Sequence, residues 1–176
     1  MKKIILTVAA VFALTFANAQ DKDKKEGGNQ TSEGKWLIEA NTGFGRGVGS
    51  TAFALTSEDG NTSYNIGAEA GYFVMDNLAI KAGLGYGDDG ADTTTIAYKV
   101  GAKYYVKGMI PVELSYNGVS VKGLDENPSY VGLQAGYAWF LGENVSIEPG
   151  LRYNYSLNSD FYENALQFNI GFALHF

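Results

Sequence analysis

Leu166-Gln167-Phe168-Asn169-Ile170-Gly171-Phe172-Ala173-Leu174-His175-Phe176 ends the sequence with a strict alternation. Leu166, Phe168, Ile170, Phe172, Leu174 and Phe176 are large and apolar, while Gln167, Asn169, Gly171, Ala173 and His175 between them are polar or small. Successive side chains of a strand point to opposite sides, so a period of two marks a strand with two unlike faces. These 11 residues also match a tilted strand that crosses a bilayer, which needs about 9–11. If such a strand closes a barrel, seven more of the same kind should precede it.

They do. Alternating segments run over 35–45, 64–74, 78–86, 94–106, 110–117, 130–141 and 145–155. Met75-Asp76-Asn77, Lys107-Gly108-Met109 and Gly142-Glu143-Asn144 between them are tight turns of the sort that Gly, Asn and Asp permit. Residues 46–63, 87–93, 118–129 and 156–164 are longer polar loops. Short turns on one rim and long loops on the other predict an all-β, eight-stranded antiparallel up-and-down transmembrane β-barrel, with the termini on the periplasmic, short-turn side.

Volume decides which face looks out. An eight-stranded bore is just wide enough to be filled by side chains, and the apolar rows are far too bulky for it. The apolar rows therefore face outward, where lipid and not water must meet them. Trp36, Tyr72, Tyr104, Trp139 and Phe176 fall toward the turn rim, and Phe44, Tyr64, Tyr86, Tyr116 and Tyr155 toward the loop rim. Two aromatic girdles are expected where a barrel meets lipid headgroups. A soluble ligand-binding barrel fails on the same volume argument.

Gly71-Tyr72-Phe73-Val74-Met75-Asp76-Asn77-Leu78-Ala79-Ile80-Lys81-Ala82-Gly83-Leu84-Gly85-Tyr86 resembles the second hairpin of the small outer-membrane β-barrel domain family, the porin-like or OmpA/OmpX-type group. Glu148-Pro149-Gly150-Leu151-Arg152-Tyr153 and the terminal Phe176 are also similar to that family. The resemblance covers about residues 35–176. It implies an outer-membrane location and insertion by the barrel-assembly machinery, for which a strand ending in Phe serves as a signal. It implies no single activity, since the family includes adhesins, stabilisers and narrow channels.

The rest of the chain fits export. Met1-Lys2-Lys3, an apolar run from Ile4 to Phe16, and Ala17-Asn18-Ala19 read as a signal peptide over 1–19, cleaved before Gln20. Residues 20–34 are charged, contain Gly and lack large apolar side chains, so a disordered periplasmic spacer is expected there. The barrel follows over 35–176. The chain has no cysteine, which leaves stability to the backbone ladder and packing and excludes a Cys-linked lipid anchor. Formal net charge is −6, and loss of Lys2 and Lys3 leaves 11 basic against 19 acidic residues, or −8. So acidic a chain is a poor partner for nucleic acid. The expected partners are the bilayer and its outer-leaflet lipid, with the barrel as a monomer.

The inward row carries the chemistry. Glu39, Glu69, Glu113 and Glu148 share it with Lys81, Lys99, Lys103 and Arg152. Pairing Val106 with Ile110 sets Lys103 opposite Glu113 and Lys99 opposite Asn117; pairing Val74 with Leu78 sets Lys81 diagonal to Glu69. Inward glycines, Gly132 and Gly171 among them, leave room for these chains. Either the charges form a closed network that fills the bore, because buried ions need partners, or they line a narrow water path for small solutes or ions. The first reading predicts a non-enzymatic barrel with a structural, adhesive or envelope-protective role; the second, a passive channel.

No cofactor or metal is expected. The Gly-rich residues 43–49 lack the following helix that a phosphate loop needs. Residues 88–92 (DDGAD) could hold Ca²⁺, but an Asp- and Gly-rich turn is the plainer reading. His175, the single histidine, has no companion motif for catalysis. Pro149 cannot donate to a ladder and predicts a bulge or kink in the seventh strand.

Overall fold

The computed structural model describes residues 29–44, 54–58, 61–88, 93–123, 127–160 and 162–176. The expected signal peptide, the first part of the spacer, and most of the 43–49 and 88–92 loops lie outside the described residues. A 3-10 turn, Asn29–Thr31, precedes ten strands. These are β1 (Trp36–Phe44), β2 (Ala54–Glu58), β3 (Asn61–Met75), β4 (Leu78–Asp88), β5 (Thr94–Val106), β6 (Ile110–Val121), β7 (Ser129–Gly136), β8 (Trp139–Phe140), β9 (Val145–Ser156) and β10 (Ala165–His175).

Each strand pairs antiparallel with its neighbours in the order β1-β10-β9-β7-β6-β5-β4-β3, and β1 also pairs with β3, which closes the ring. With β7 and β8 as two parts of one stave, the barrel has eight staves in up-and-down order. Closure leaves no edge among the staves. Trp36 and Phe176 exchange both backbone bonds, Trp36 N to Phe176 O at 2.6 Å and Phe176 N to Trp36 O at 3.0 Å.

The strand β2 corrects the expected loop over 46–63. Ala54–Glu58 pairs with Asn61–Asn65 and so lengthens β3 into a hairpin arm past the barrel wall. The stretch is only five residues long (ALTSE), with Leu55 its single large apolar residue. A period of two cannot be read from one apolar position, so this pairing carries no two-faced signature.

One register differs from expectation. In the β3–β4 hairpin, Met75 and not Val74 faces Leu78, and the register shifts between Phe73 and Met75. Asn77 takes the left-handed conformation (φ 66°) that Asn tolerates better than most residues, which lets two residues turn the chain. The extra residue is taken up in the strand as a bulge.

Pro149 acts on its neighbour instead of its own strand. β9 runs unbroken from Val145 to Ser156, while the adjoining stave stops at Gly136 and resumes at Trp139. Tyr137 N donates to Pro149 O at 3.0 Å, so the nitrogen of Pro149 also faces Tyr137 and has no hydrogen to return. One rung is missing, yet Gly136↔Gly150 and Trp139↔Ile147 keep a single register. The break is a lost bond and not an inserted residue.

Burial alternates as the volume argument requires. Ile66, Ile80, Leu84, Val100, Leu133, Leu151, Phe168 and Phe172 all face outward, and their neighbours in sequence face in. Leu84, 69% exposed, is among the most open. Such a belt is far more apolar surface than a monomer keeps in water. Leu151→Arg, midway along β9 between Ile147, which pairs with Trp139 at the turn-end girdle, and Tyr155 at the loop-end girdle, is expected to destabilise the folded barrel in lipid by about 2–4 kcal/mol, the cost of a basic side chain near the bilayer midplane. Lys122→Glu, at the exposed loop end of β6, should change stability little by comparison. Urea titration of each variant in vesicles checks the difference.

Candidate functional site

Inside a ring this narrow, side chains from different staves converge on the axis, so they meet across the bore as well as along the wall. The structure brings all eight inward charged residues together, each of them buried. Lys81 Nζ lies 2.7 Å from Glu39, 2.7 Å from Glu69 and 2.8 Å from Glu113. Lys99 bridges Glu69 at 2.8 Å and Glu113 at 2.7 Å. Lys103 bridges Glu39 at 2.7 Å and also holds Glu148. Arg152 Nη1 is 3.1 Å from Glu113.

The expected registers of Lys103 opposite Glu113 and Lys99 opposite Asn117 are present in the β5–β6 pairing. Facing positions do not dictate partners, however. Lys103 leans toward the turn rim to Glu39 and Glu148, and Glu113 takes Lys81, Lys99 and Arg152 instead. Lys81 does reach Glu69 diagonally, through Gly71↔Lys81 and Glu69↔Gly83.

Toward the loop rim the ions give way to amides and hydroxyls. Arg152 donates to Ser115 at 2.6 Å, Asn117 at 2.9 Å and Asn154 at 2.9 Å. Asn154 in turn donates to Gln167 at 2.7 Å. The guanidinium can occupy this place because Gly132 has no side chain: a Cβ there would overlap Arg152 Nη2. Asn154 heads a glycosylation-like triplet, but it is fully buried in this network and unavailable as an acceptor.

Toward the turn rim the bore is apolar. Leu37, Phe73, Ala79, Tyr105, Ala138 and Ala173 form one buried cluster, with Phe140 packed on it. His175 sits among the rings, with centroids 5.3 Å from Phe140, 6.1 Å from Tyr105 and 6.2 Å from Phe73. Lys103 lies 5.2 Å from the centre of the Tyr105 ring, which joins this layer to the ions. Sequence reasoning misses this seal, although its signal is present. Leu37, Phe73, Tyr105 and Phe140 are large inward residues, and the last three stand within a few positions of the tight turns.

Ser146, Glu148 and His175 meet at the join. Ser146 Oγ donates to Glu148 Oε1 at 2.8 Å, as does Tyr105 OH at 2.9 Å. Ser146 Oγ is also hydrogen-bonded to His175 Nε2 at 3.0 Å. Among the described residues no group of three or more His, Asp or Glu side chains is placed to hold a metal ion.

The outer aromatics sit as two bands. Trp36, Tyr72, Trp139 and Phe176 are exposed at the turn end, with Tyr104 half-buried beside them, and Trp36 meets Tyr72 edge-on at 5.2 Å. Tyr64, Tyr86, Tyr116 and Tyr155 are exposed toward the loop end, where Tyr64 and Tyr86 lie 6.3 Å apart. The side chain of Phe44 lies outside the described residues. Tyr98, not among the expected girdle residues, joins the loop-end band by packing on Tyr116 at 6.2 Å. Gly118, its register partner, leaves space for the Tyr98 ring.

No protein-family model matches the sequence, and no curated protein matches it. Solved structures do. The N-terminal β-barrel domain of Pseudomonas aeruginosa OprF superposes with a TM-score of 0.54 at 16% identity, covering 82% of this chain and 98% of that one. The fold is that of the eight-stranded outer-membrane β-barrels. Neisserial surface protein A matches at a TM-score of 0.49 and 17% identity, over 82% of this chain and all (100%) of that one. Yersinia pestis outer membrane protein Ail, in a phospholipid bilayer nanodisc, matches at 0.49 and 13%, again over 82% and 100%. Identities this low speak to the fold alone. The transmembrane barrel accounts for the outward apolar belt, which has the bilayer as its solvent.

Proposed function

We propose that the protein is a non-conducting, non-enzymatic barrel of the cell outer membrane, with a structural, adhesive or envelope-protective role carried by its outer surface and loops. One observation carries the reading: the bore is filled by paired ions at its middle, by a network of amides and hydroxyls toward the loop end, and by apolar rings that seal the turn end. Each lysine of the network touches at least two carboxylates, so no cation is left over to line a water path. Buried charges satisfied in this way are a filling. Closure of the ring supports a monomer, since no stave offers an edge to a second copy. β10, which pairs with β1 from Phe168 to His175 and is followed by Phe176, is the element that the barrel-assembly machinery would read during insertion.

Planar-bilayer recording tests the reading. The purified chain is expected to give no reproducible single-channel steps. Steady steps that Lys103→Glu abolishes would overturn the proposal and establish a conducting bore.

A further inference from the structure

Composition predicts disorder in the segment before the first strand, as far as residue 34. Its described part, Asn29–Gly34, instead crosses the turn end of the barrel. Thr31 is buried, at 3% exposure, though it precedes every strand. Its Oγ1 donates to Asn77 Oδ1 at 2.6 Å, and its carbonyl accepts from Asn77 N at 2.7 Å. Glu33 N donates to Asp76 Oδ1 at 2.9 Å, and Gly34 N to Phe73 O at 2.9 Å. These bonds fix the segment to the β3–β4 turn.

A second anchor lies elsewhere. Gln30 Nε2 donates to Gly142 O at 3.2 Å, in the turn between β8 and β9. In the ring order, two staves separate the two turns on either side: β5 and β6 one way, β1 and β10 the other. The turns are thus diametrically opposed, and a segment bonded to both must span the mouth. Between the anchors the Gln30 main chain lies against the imidazole of His175, an inward residue that is fully buried.

We propose that Asn29–Gly34 is a strap that closes the turn-end mouth of the barrel and keeps water from the aromatic layer beneath it. Without it, His175, Phe73 and Tyr105 would form the floor of an open cup. The rings supply an apolar surface for the strap to cover, and the two opposite turns supply its fastenings. An ordinary spacer would need neither a buried threonine nor bonds to both sides of the rim.

His175 is the only histidine in the chain, so in an untagged protein its imidazole gives one isolated NMR signal. The experiment adds a water-soluble paramagnetic gadolinium chelate to the full chain folded in detergent micelles. The wild-type signal is expected to stay sharp. Gln30→Ala combined with Thr31→Val removes one side-chain bond at each anchor and should raise the relaxation enhancement at His175 about tenfold, as expected for a mouth opened by the loss of two ordinary hydrogen bonds. Migration of unboiled samples on a gel reports whether that variant folds, and Gln30→Ala alone serves as the milder form. Strong broadening in the wild type overturns the strap whatever the variants do. A folded double variant whose signal stays as sharp as the wild type overturns it too.

Discussion

Lys81→Met is expected to lower the stability of the folded barrel by about 3–5 kcal/mol, the range for removing one partner from a buried ion cluster. Lys81 is the one cation of the network that touches three carboxylates: Glu39, Glu69 and Glu113. Its removal leaves four buried acids against three bases in the network. Each acid keeps another partner, Lys103 for Glu39, Lys99 for Glu69, and Lys99 with Arg152 for Glu113. The cost is therefore that of one excess charge held away from water. Methionine fills similar space without the ammonium group, which separates the electrostatic loss from a cavity. Adding Glu69→Gln restores the balance and should return a large part of the loss. Urea titration, read as the fraction that keeps its unboiled gel mobility, measures both variants. A loss under about 1 kcal/mol for Lys81→Met, the scale of an exposed pair, would mean that water screens the bore.

Gly132→Ala is expected to cost about 2–4 kcal/mol, between the range for overpacking and that for breaking a buried network. The new Cβ would overlap Arg152 Nη2 and lie 2.5 Å from Cζ, so the guanidinium must leave its place. Its bonds to Ser115, Asn117 and Glu113 go with it. Most glycine-to-alanine changes in a strand are mild or favourable, because alanine loses less backbone entropy on folding. The expected sign here is opposite because the space is already occupied. A double-mutant cycle with Arg152→Met isolates that cause: in the Met background the alanine should cost much less. Equal costs in both backgrounds would place the strain in the backbone and not at the guanidinium.

Much of this architecture is legible in the sequence because a strand's period is a whole number. Leu166 to Phe176 alternates without a slip, so one parity argument assigns every residue to lipid or bore, and the rule repeats along the chain. The eight inward charges follow from parity alone. Partner choice does not, because it depends on how the staves converge on the axis, and this is why Lys103 faces Glu113 in register yet holds Glu39 and Glu148. The β3–β4 bulge and the Pro149 break are likewise invisible to a period: one adds a residue, the other removes a hydrogen. Asn29–Gly34 is hidden for another reason. Its order comes from bonds to turns 46 and 112 residues away in sequence, which no local composition records.

The ion pairs link parts of the wall that share no backbone bond. β3 and β4 form one hairpin, bonded along the wall to β1 and β5. Through Lys81 the same hairpin is tied to Glu113 on β6, and through Lys103 β5 is tied to Glu39 on β1 and Glu148 on β9. The wall behaves like a rim and these bonds like spokes, so flattening the cross-section must shorten some and stretch others. A hairpin pulled out of such a wheel takes partners from staves it never touched. The bore is thereby what makes four separable hairpins a single mechanical body.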